Sequence, residues 1–159
     1  MTVVSDTSPL RYLLWLGHIE LLPALFERVT IPGTVADELG HPNASFAVRT
    51  WIADPPPWLE IVARTRKAAD GLSRLDPGER DAILLAEELR ADLLIVDDRR
   101  GRDAARSRGI EIMGLIGVLD RAADRGLISV PDTVERLGET NFRVHPRLLK
   151  ELLDRHKPK

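Results

Sequence analysis

The chain contains no cysteine. Disulfide bonds, thiolate nucleophiles and cysteine-based zinc sites are therefore excluded, and the composition fits a reducing cytoplasm. No apolar run is long enough to span a bilayer, and no basic region precedes an apolar stretch as in a signal peptide. The net charge is −2, so no global basic field attracts nucleic acid. We expect a cytoplasmic protein that makes no contact with a membrane.

Common catalytic and nucleotide-binding signatures are also missing. There is no G-x-x-x-x-G-K-[ST] loop and no G-x-G-x-x-G fingerprint. Ser5 and Ser8 lack the G-x-S-x-G context of a nucleophilic serine. The four histidines show no ligand spacing, which favours surface or core roles over zinc. The chemistry of the chain must then come from its acids and arginines.

The order of predicted elements indicates a single α/β domain spanning residues 1–159. Hydrophobic residues make up 43% and charged residues 30% of the chain, as in globular proteins. Five apolar or β-branched segments read as strands: Thr2–Ser5, Arg28–Ile31, Trp58–Val62, Leu93–Val96 and Ile110–Met113. Helical patterns alternate with them, which predicts a three-layer α/β/α sandwich with a central parallel sheet. Residues 129–159 form a helical C-terminal extension.

Some boundaries follow from local signals. Asn43 is expected to cap the fourth helix, and Asp76-Pro77 to begin a helix that buries Ile83 and Ala86. A short helix is predicted over Arg102–Arg108. The polar stretch Ala63–Ser73 is predicted to be a loop with at most a short helix.

Acidic residues follow two of the predicted strands. Asp6 follows the first strand and Asp97-Asp98 the fourth, so a parallel sheet brings them to one rim. Glu38 lies in the helix after the second strand, and Asp81 lies near the start of the helix after Asp76. Converging carboxylates repel one another and have raised pKa values without a counter-charge. They predict a hard cation, Mg²⁺ or Mn²⁺, able to activate water for attack on a phosphodiester.

Each acid has a structural alternative. Asp6 could cap the first helix, and one member of the Asp97-Asp98 pair could cap the helix after it. Glu38 could be an ordinary surface residue. Glu79 is interpreted as the return partner of a capping box. Asp81 is too far into its helix to cap it.

Arginines are bunched after Asp98, at Arg99, Arg100, Arg102, Arg106 and Arg108. Arginine suits bidentate contact with phosphate. A solvated helix face explains the same cluster.

Four segments in order resemble the motifs of PIN-domain nucleases, in particular the VapC-like prokaryotic branch. They are Val3–Leu10, Val35–Leu39, Gly78–Ala86 and Leu94–Arg99. Gly114–Leu119 followed by Gly126–Ile128 is also similar to that branch. The resemblance covers about Thr2 to Ile128.

The resemblance implies a metal-dependent ribonuclease, often the toxin of a toxin–antitoxin pair, with Asp6, Glu38, Asp81 and Asp98 as catalytic acids and metal ligands. Such proteins commonly form dimers and are inhibited by a small antitoxin. By the same analogy Ser8 braces the Asp6 loop, and Arg99, Arg100 and Arg102 meet phosphate.

The fourth motif departs from the family pattern. Val96 stands where Thr or Ser usually precedes the acid by two residues. The departure makes Asp97 a second candidate for the fourth metal ligand.

Two other functions compete with the nuclease. A phospho-receiver module also gathers acids at strand ends, but no lysine ends a late strand here. A non-catalytic relic that binds nucleic acid or a partner is the other alternative. A homodimer through the apolar early helices is also expected, although the same leucines could be core. These leucines are Leu13, Leu14, Leu16, Leu21 and Leu22.

Overall fold

The central element is a five-stranded parallel sheet. The structure is a computed structural model that describes residues 1–63 and 72–157. The predicted loop Ala63–Ser73 therefore lies mostly outside the described residues. The strands are β1 (Val3–Ser5), β2 (Val29–Pro32), β3 (Leu59–Val62), β4 (Leu93–Ile95) and β5 (Ile112–Met113), in the order β3-β2-β1-β4-β5. Every strand pair is parallel, which confirms the predicted sheet.

Helices cover both faces of the sheet. They are α1 (Thr7–Leu16), α2 (Leu21–Phe26), α3 (Gly33–Leu39), α4 (Phe46–Ala53), α5 (Pro77–Leu89), α6 (Arg99–Ser107), α7 (Leu115–Asp124), α8 (Val130–Gly138) and α9 (Pro146–Arg155). Because side chains alternate along a strand, Val3 and Val4 enter different cores. Val3 packs in the core shared by α1, α2 and α7, and Val4 in the core shared by α5 and α6. This is the predicted α/β/α sandwich.

The strand order creates a crevice where β1 lies beside β4. From β1 the chain moves outward to β2 and β3, whereas from β4 it moves outward to β5 on the other side. Such a switch point is where open α/β sheets bind ligands. The Asp6 amide donates to the Ile95 carbonyl at 2.9 Å. The ends of β1 and β4 are thereby held side by side.

The two C-terminal helices join the core of the α1 face. Val130 and Leu137 of α8 and Leu152 of α9 are buried there. Polar contacts add to this packing, because Arg155 and His156 both contact Asp120 of α7. The His156 Nε2 to Asp120 Oδ1 distance is 2.8 Å.

Several boundaries differ from the prediction. Ser45 caps α4, accepting from the Val48 amide at 3.3 Å, so the Asn43 prediction was wrong. Helix α6 begins three residues earlier than expected, at Arg99, because Asp98 provides the cap. Strand β5 is limited to Ile112–Met113.

The leucines behind the predicted dimer are mostly core residues. Leu13, Leu16, Leu21 and Leu22 are buried, and only Leu14 is partly exposed. They leave little free apolar surface for a second copy. Within the described part of the chain, no helix combines the length and apolarity needed to cross a membrane.

Candidate metal centre

Asp6 stands at the start of α1 without capping it. Its backbone has the extended conformation of an N-cap, yet its side chain makes no cap hydrogen bond. Only 4% of the residue is exposed, and Oδ1 is buried without a hydrogen-bond partner among the described residues. The cap alternative therefore does not explain this acid.

Burial raises the pKa of Asp6 from 3.8 to about 7. The charges of Glu38, Asp97 and Asp76 contribute to this rise in the pKa, while the Thr7 amide lowers it. The charges of acids from three other segments thus raise the pKa of Asp6, as expected where carboxylates converge at one rim of the sheet.

Glu38 is held by two donors on different elements. The Thr7 hydroxyl donates to Oε2, and the Gly78 amide donates to Oε1 at 3.0 Å. A Cβ at Gly78 would lie 2.5 and 2.6 Å from the two carboxylate oxygens, so only glycine permits this approach. Glu38 therefore ties α3 to the start of α1 and to the start of α5.

Glu79 is the acid that the sequence interpretation placed wrongly. No capping box forms, because Asp76 makes no side-chain cap hydrogen bond. Glu79 is 8% exposed, and its Oε2 is buried without a partner among the described residues. Burial, the charge of Asp6 and a side-chain hydrogen bond with Asp76 raise the pKa of Glu79 to about 9, with a further contribution from Asp98.

A signal for Glu79 was present in the sequence. It precedes the inward-facing Ile83 and Ala86 by four and seven residues, a spacing that places all three on one helix face. Because Glu79 was interpreted as part of a capping box, this periodicity was not used.

Asp81 points elsewhere. Two residues correspond to about 200° around an α-helix, so Asp81 and Glu79 project from different sides of α5. The Asp81 carboxylate pairs with Arg80 Nε at 3.2 Å. It is not among the charges that raise the pKa of Asp6 or Glu79. The charge of Asp6 thus acts on Glu79, whereas Asp81 pairs with Arg80.

The Asp97-Asp98 pair divides its roles. Asp98 is exposed and caps α6, accepting from the Arg100 amide at 3.1 Å. Asp97 Oδ1 accepts from the Leu115 amide at 2.8 Å, while Oδ2 is buried without a partner among the described residues. Burial raises the pKa of Asp97 to about 6, against the lowering effects of the Leu115 amide and Arg102.

The predicted phosphate-binding residues lie around these acids. Arg102 is half-buried near Asp97. Arg100 lines a cavity of about 150 Å³ together with Glu79 and Asp98. Ser8 lies in the first turn of α1, and the hydroxyl that braces the loop after β1 belongs instead to its neighbour Thr7.

Three buried carboxylate oxygens at the rim thus have no hydrogen-bond partner in residues 1–63 and 72–157: Asp6 Oδ1, Glu79 Oε2 and Asp97 Oδ2. A buried acceptor without a partner is costly, and oxygen ligands of this kind suit Mg²⁺ or Mn²⁺. In the chemistry of its oxygen donors, this set fits such an ion.

A second group of possible metal ligands includes two aspartates that already form ion pairs with an arginine. Asp120, Asp124 and His156 bring three ligand atoms within 4.8 Å of one another, which no other trio of the described residues does. Arg155 pairs with both aspartates, so these charges connect α9 to α7. The rim carboxylates are more widely spaced, as expected of anions that repel one another.

The receiver alternative gains no support from the fold. The described lysines, Lys150 and Lys157, lie in α9 and just beyond it. Neither follows a strand of the sheet.

Comparisons with known proteins agree with this architecture. A family model described as PIN domain (DUF3368) matches residues 2–158. A solved PilT N-terminus domain protein from the hyperthermophilic archaeon Sulfolobus solfataricus superposes with a TM-score of 0.54. The match covers 91% of this chain and 100% of the archaeal chain at 17% identity, a likeness of fold. No curated protein sequence matches the chain. The chain belongs to the PIN-domain family, whose members are generally nucleases.

Proposed function

We propose that the protein is a Mg²⁺- or Mn²⁺-dependent endoribonuclease. The observation that carries the proposal is a set of three buried carboxylate oxygens at the switch point of the sheet, which have no partner in the part of the chain that the structure describes. Asp6, Glu79 and Asp97 are the proposed metal ligands. Asp98 and Asp81, which the family resemblance implies as ligands, rank below them, because Asp98 caps α6 and Asp81 pairs with Arg80.

The bound ion would activate a water molecule and stabilise charge on the leaving oxygen. Glu38 orients the site, since its hydrogen bonds to Thr7 and Gly78 fix the loop that carries Asp6 against α5. Arg102 lies beside Asp97, and its guanidinium is suited to hold a phosphate oxygen near the ion. Arg99, Arg100 and Ser8 are the further proposed substrate contacts.

The test combines calorimetry with an RNA cleavage assay. Mg²⁺ and Mn²⁺ are titrated into the wild type, Asp6→Asn and Asp37→Asn, and each sample is then given a fluorescent RNA. Asp37 is exposed on α3, beside Glu38, and serves as the matched control. We expect Asp6→Asn alone to lose both binding and cleavage.

Two results would contradict the proposal. A wild-type protein that binds no divalent ion would favour the non-catalytic alternative. Undiminished cleavage by a folded Asp6→Asn variant would remove the rim acids from the mechanism.

The toxin role is a finer proposal that rests on the family. If the protein acts in the cytoplasm as a toxin inhibited by an antitoxin, induced wild-type protein arrests growth and the Asp6→Asn variant does not. Growth unaffected by an active wild-type enzyme would contradict the role.

The predicted homodimer is tested separately by sedimentation velocity.

A further inference from the structure

A groove of about 930 Å³ begins at the candidate metal centre and runs between α6 and the C-terminal segment. We call it the arginine groove. Asp97 lines its inner end. The α6 side is lined by Arg99, Arg102 and Arg106, and the opposite wall by residues 142–145 and Leu148. Its size is within the range that proteins use for ligands.

The charge of the groove differs from that of the whole chain. Four arginines line it, the fourth being Arg143 on the C-terminal wall, against two acids, Asp97 and Asp103. Asp103 already lies 3.8 Å from Arg106. Arg143 is exposed and forms no ion pair with any other described residue. A local positive excess on a chain of net charge −2 is complementary to a phosphate chain.

The floor of the groove is apolar. Ile112, Met113 and Ile116 are half-buried there, and Phe142 adds an aromatic ring from the C-terminal wall. An unpaired base can pack on such a surface while its phosphates meet the arginines on either side. A duplex, whose bases are stacked inside, gains nothing from this floor.

The C-terminal wall is anchored, so Arg143 is presented in a defined place. The Tyr12 hydroxyl donates to Asn141 Oδ1 at 2.6 Å, and the Tyr12 and Phe142 rings meet edge to face at 4.9 Å. On the other side His145 caps α9, accepting from the Arg147 amide at 3.1 Å. A segment whose backbone is already held in place loses less conformational freedom on binding.

We propose that the arginine groove binds the single-stranded RNA backbone that flanks the cleaved phosphodiester, and that Arg143 is a substrate-binding residue contributed by the C-terminal extension. This inference rests on the proposed nuclease function.

A second groove, of about 650 Å³, flanks the acids from the α1 and α4 side. It offers Arg11 and Trp15 but is also lined by Glu38 and Asp76. One arginine against two acids makes this groove the poorer site for phosphates.

The experiment measures binding apart from cleavage. A 5′-labelled single-stranded RNA of about twelve nucleotides is titrated by fluorescence anisotropy, without divalent ions, in the full-length Asp6→Asn background. Arg143→Ala is compared with Arg147→Ala. Arg147 lies four residues away, is 75% exposed, pairs with Glu151 at 3.7 Å and does not line the groove.

We expect Arg143→Ala to weaken binding about tenfold, as for the loss of one charge-assisted contact. The slope of log K against log salt should fall by about 0.7, the value for one phosphate contact on a single strand. Arg147→Ala should change neither quantity, and Arg143→Lys should restore the slope. Circular dichroism and the melting temperature establish that each variant is folded.

Equal behaviour of the Arg143→Ala and Arg147→Ala variants would overturn the inference. A loss confined to Arg11→Ala would do the same, because it would place the strand in the other groove. The two proposals fail separately. RNA binding in the groove without metal-dependent cleavage would contradict only the nuclease proposal. Metal-dependent cleavage with no effect of Arg143→Ala on RNA binding would contradict only the groove proposal.

Discussion

Replacing Asp6 by asparagine should make the metal-free protein more stable, although it removes activity. The native state raises the pKa of Asp6 from 3.8 to about 7, so the folded protein holds a proton that the unfolded chain has released. Stability from this group is fully present below pH 3.8 and is lost as the pH rises toward 7. At 1.36 kcal/mol per pH unit, the charged form of Asp6 destabilises the fold by roughly 4 kcal/mol at pH 8.

Asparagine removes this charge but leaves a buried amide with incomplete hydrogen bonding. That defect costs about 1–3 kcal/mol, so a net gain of about 2 kcal/mol is expected. For a chain of this length, about 2 kcal/mol corresponds to a rise in melting temperature of roughly 4–8 °C. The asparagine also ends the repulsion that Asp6 exerts on Glu79, an effect of the same sign.

The assay is thermal unfolding at pH 8 and near pH 4, with and without Mg²⁺. Without Mg²⁺ the Asp6→Asn variant should melt above the wild type at pH 8. Near pH 4 the order should reverse, because the charge penalty of Asp6 is absent there and only the cost of the buried amide remains. Added Mg²⁺ should stabilise the wild type by mass action and leave the variant unchanged. Asp37→Asn, on the exposed side of α3, is the control.

One result would refute the reasoning. If Asp6→Asn melts below the wild type at pH 8 without Mg²⁺ while Asp37→Asn is unchanged, Asp6 stabilises the apo fold. The acids at the rim would then form an ordinary structural network, with no unfavourable burial of charge for a bound ion to relieve.

Three further changes test individual contacts. Glu79→Gln should lower the initial cleavage rate by at least about 100-fold, whereas Asp81→Asn should keep most of it; the opposite ranking would restore Asp81 as the third ligand. Gly78→Ala should reduce the free energy of unfolding by about 1–3 kcal/mol, measured in urea, because its Cβ would meet the Glu38 carboxylate; an unchanged midpoint would contradict that contact. Asp120→Asn should lower the melting temperature by about 2–4 °C and speed proteolysis near residue 145, since Asp120 joins α9 to α7; unchanged digestion would show that apolar packing alone holds α9.

The sheet could be predicted because its strands are short, apolar and fully buried. Val3–Ser5 and Leu93–Ile95 are both buried along their whole length. Parallel pairing then follows from the helices between them. The meeting of Asp6 and Asp97 at one rim is a consequence of that topology.

Single acids near helix starts were harder to assign, because caps and ligands use the same residue types. At Asp76 and Asp98 the local rules predict caps at both positions, but only Asp98 makes the side-chain bond. The choice at Asp76 depends on Asp6 and Glu79, which are 70 and three residues away in sequence. No local rule contains the interaction with Asp6.

Glycines carry information that the acids alone do not. Glu38, Glu79 and Asp97 each lie against one glycine, where an added Cβ would come within 2.5, 2.7 and 2.8 Å of a carboxylate oxygen. These glycines are Gly78, Gly101 and Gly114. Gly78 and Gly101 lie inside helices without a positive φ, where glycine costs about 1 kcal/mol relative to alanine. Backbone conformation does not explain them, whereas close approach of a carboxylate does. A glycine inside a helical pattern is therefore a sign that a carboxylate from another segment approaches that helix: Glu38 approaches α5 at Gly78, and Glu79 approaches α6 at Gly101.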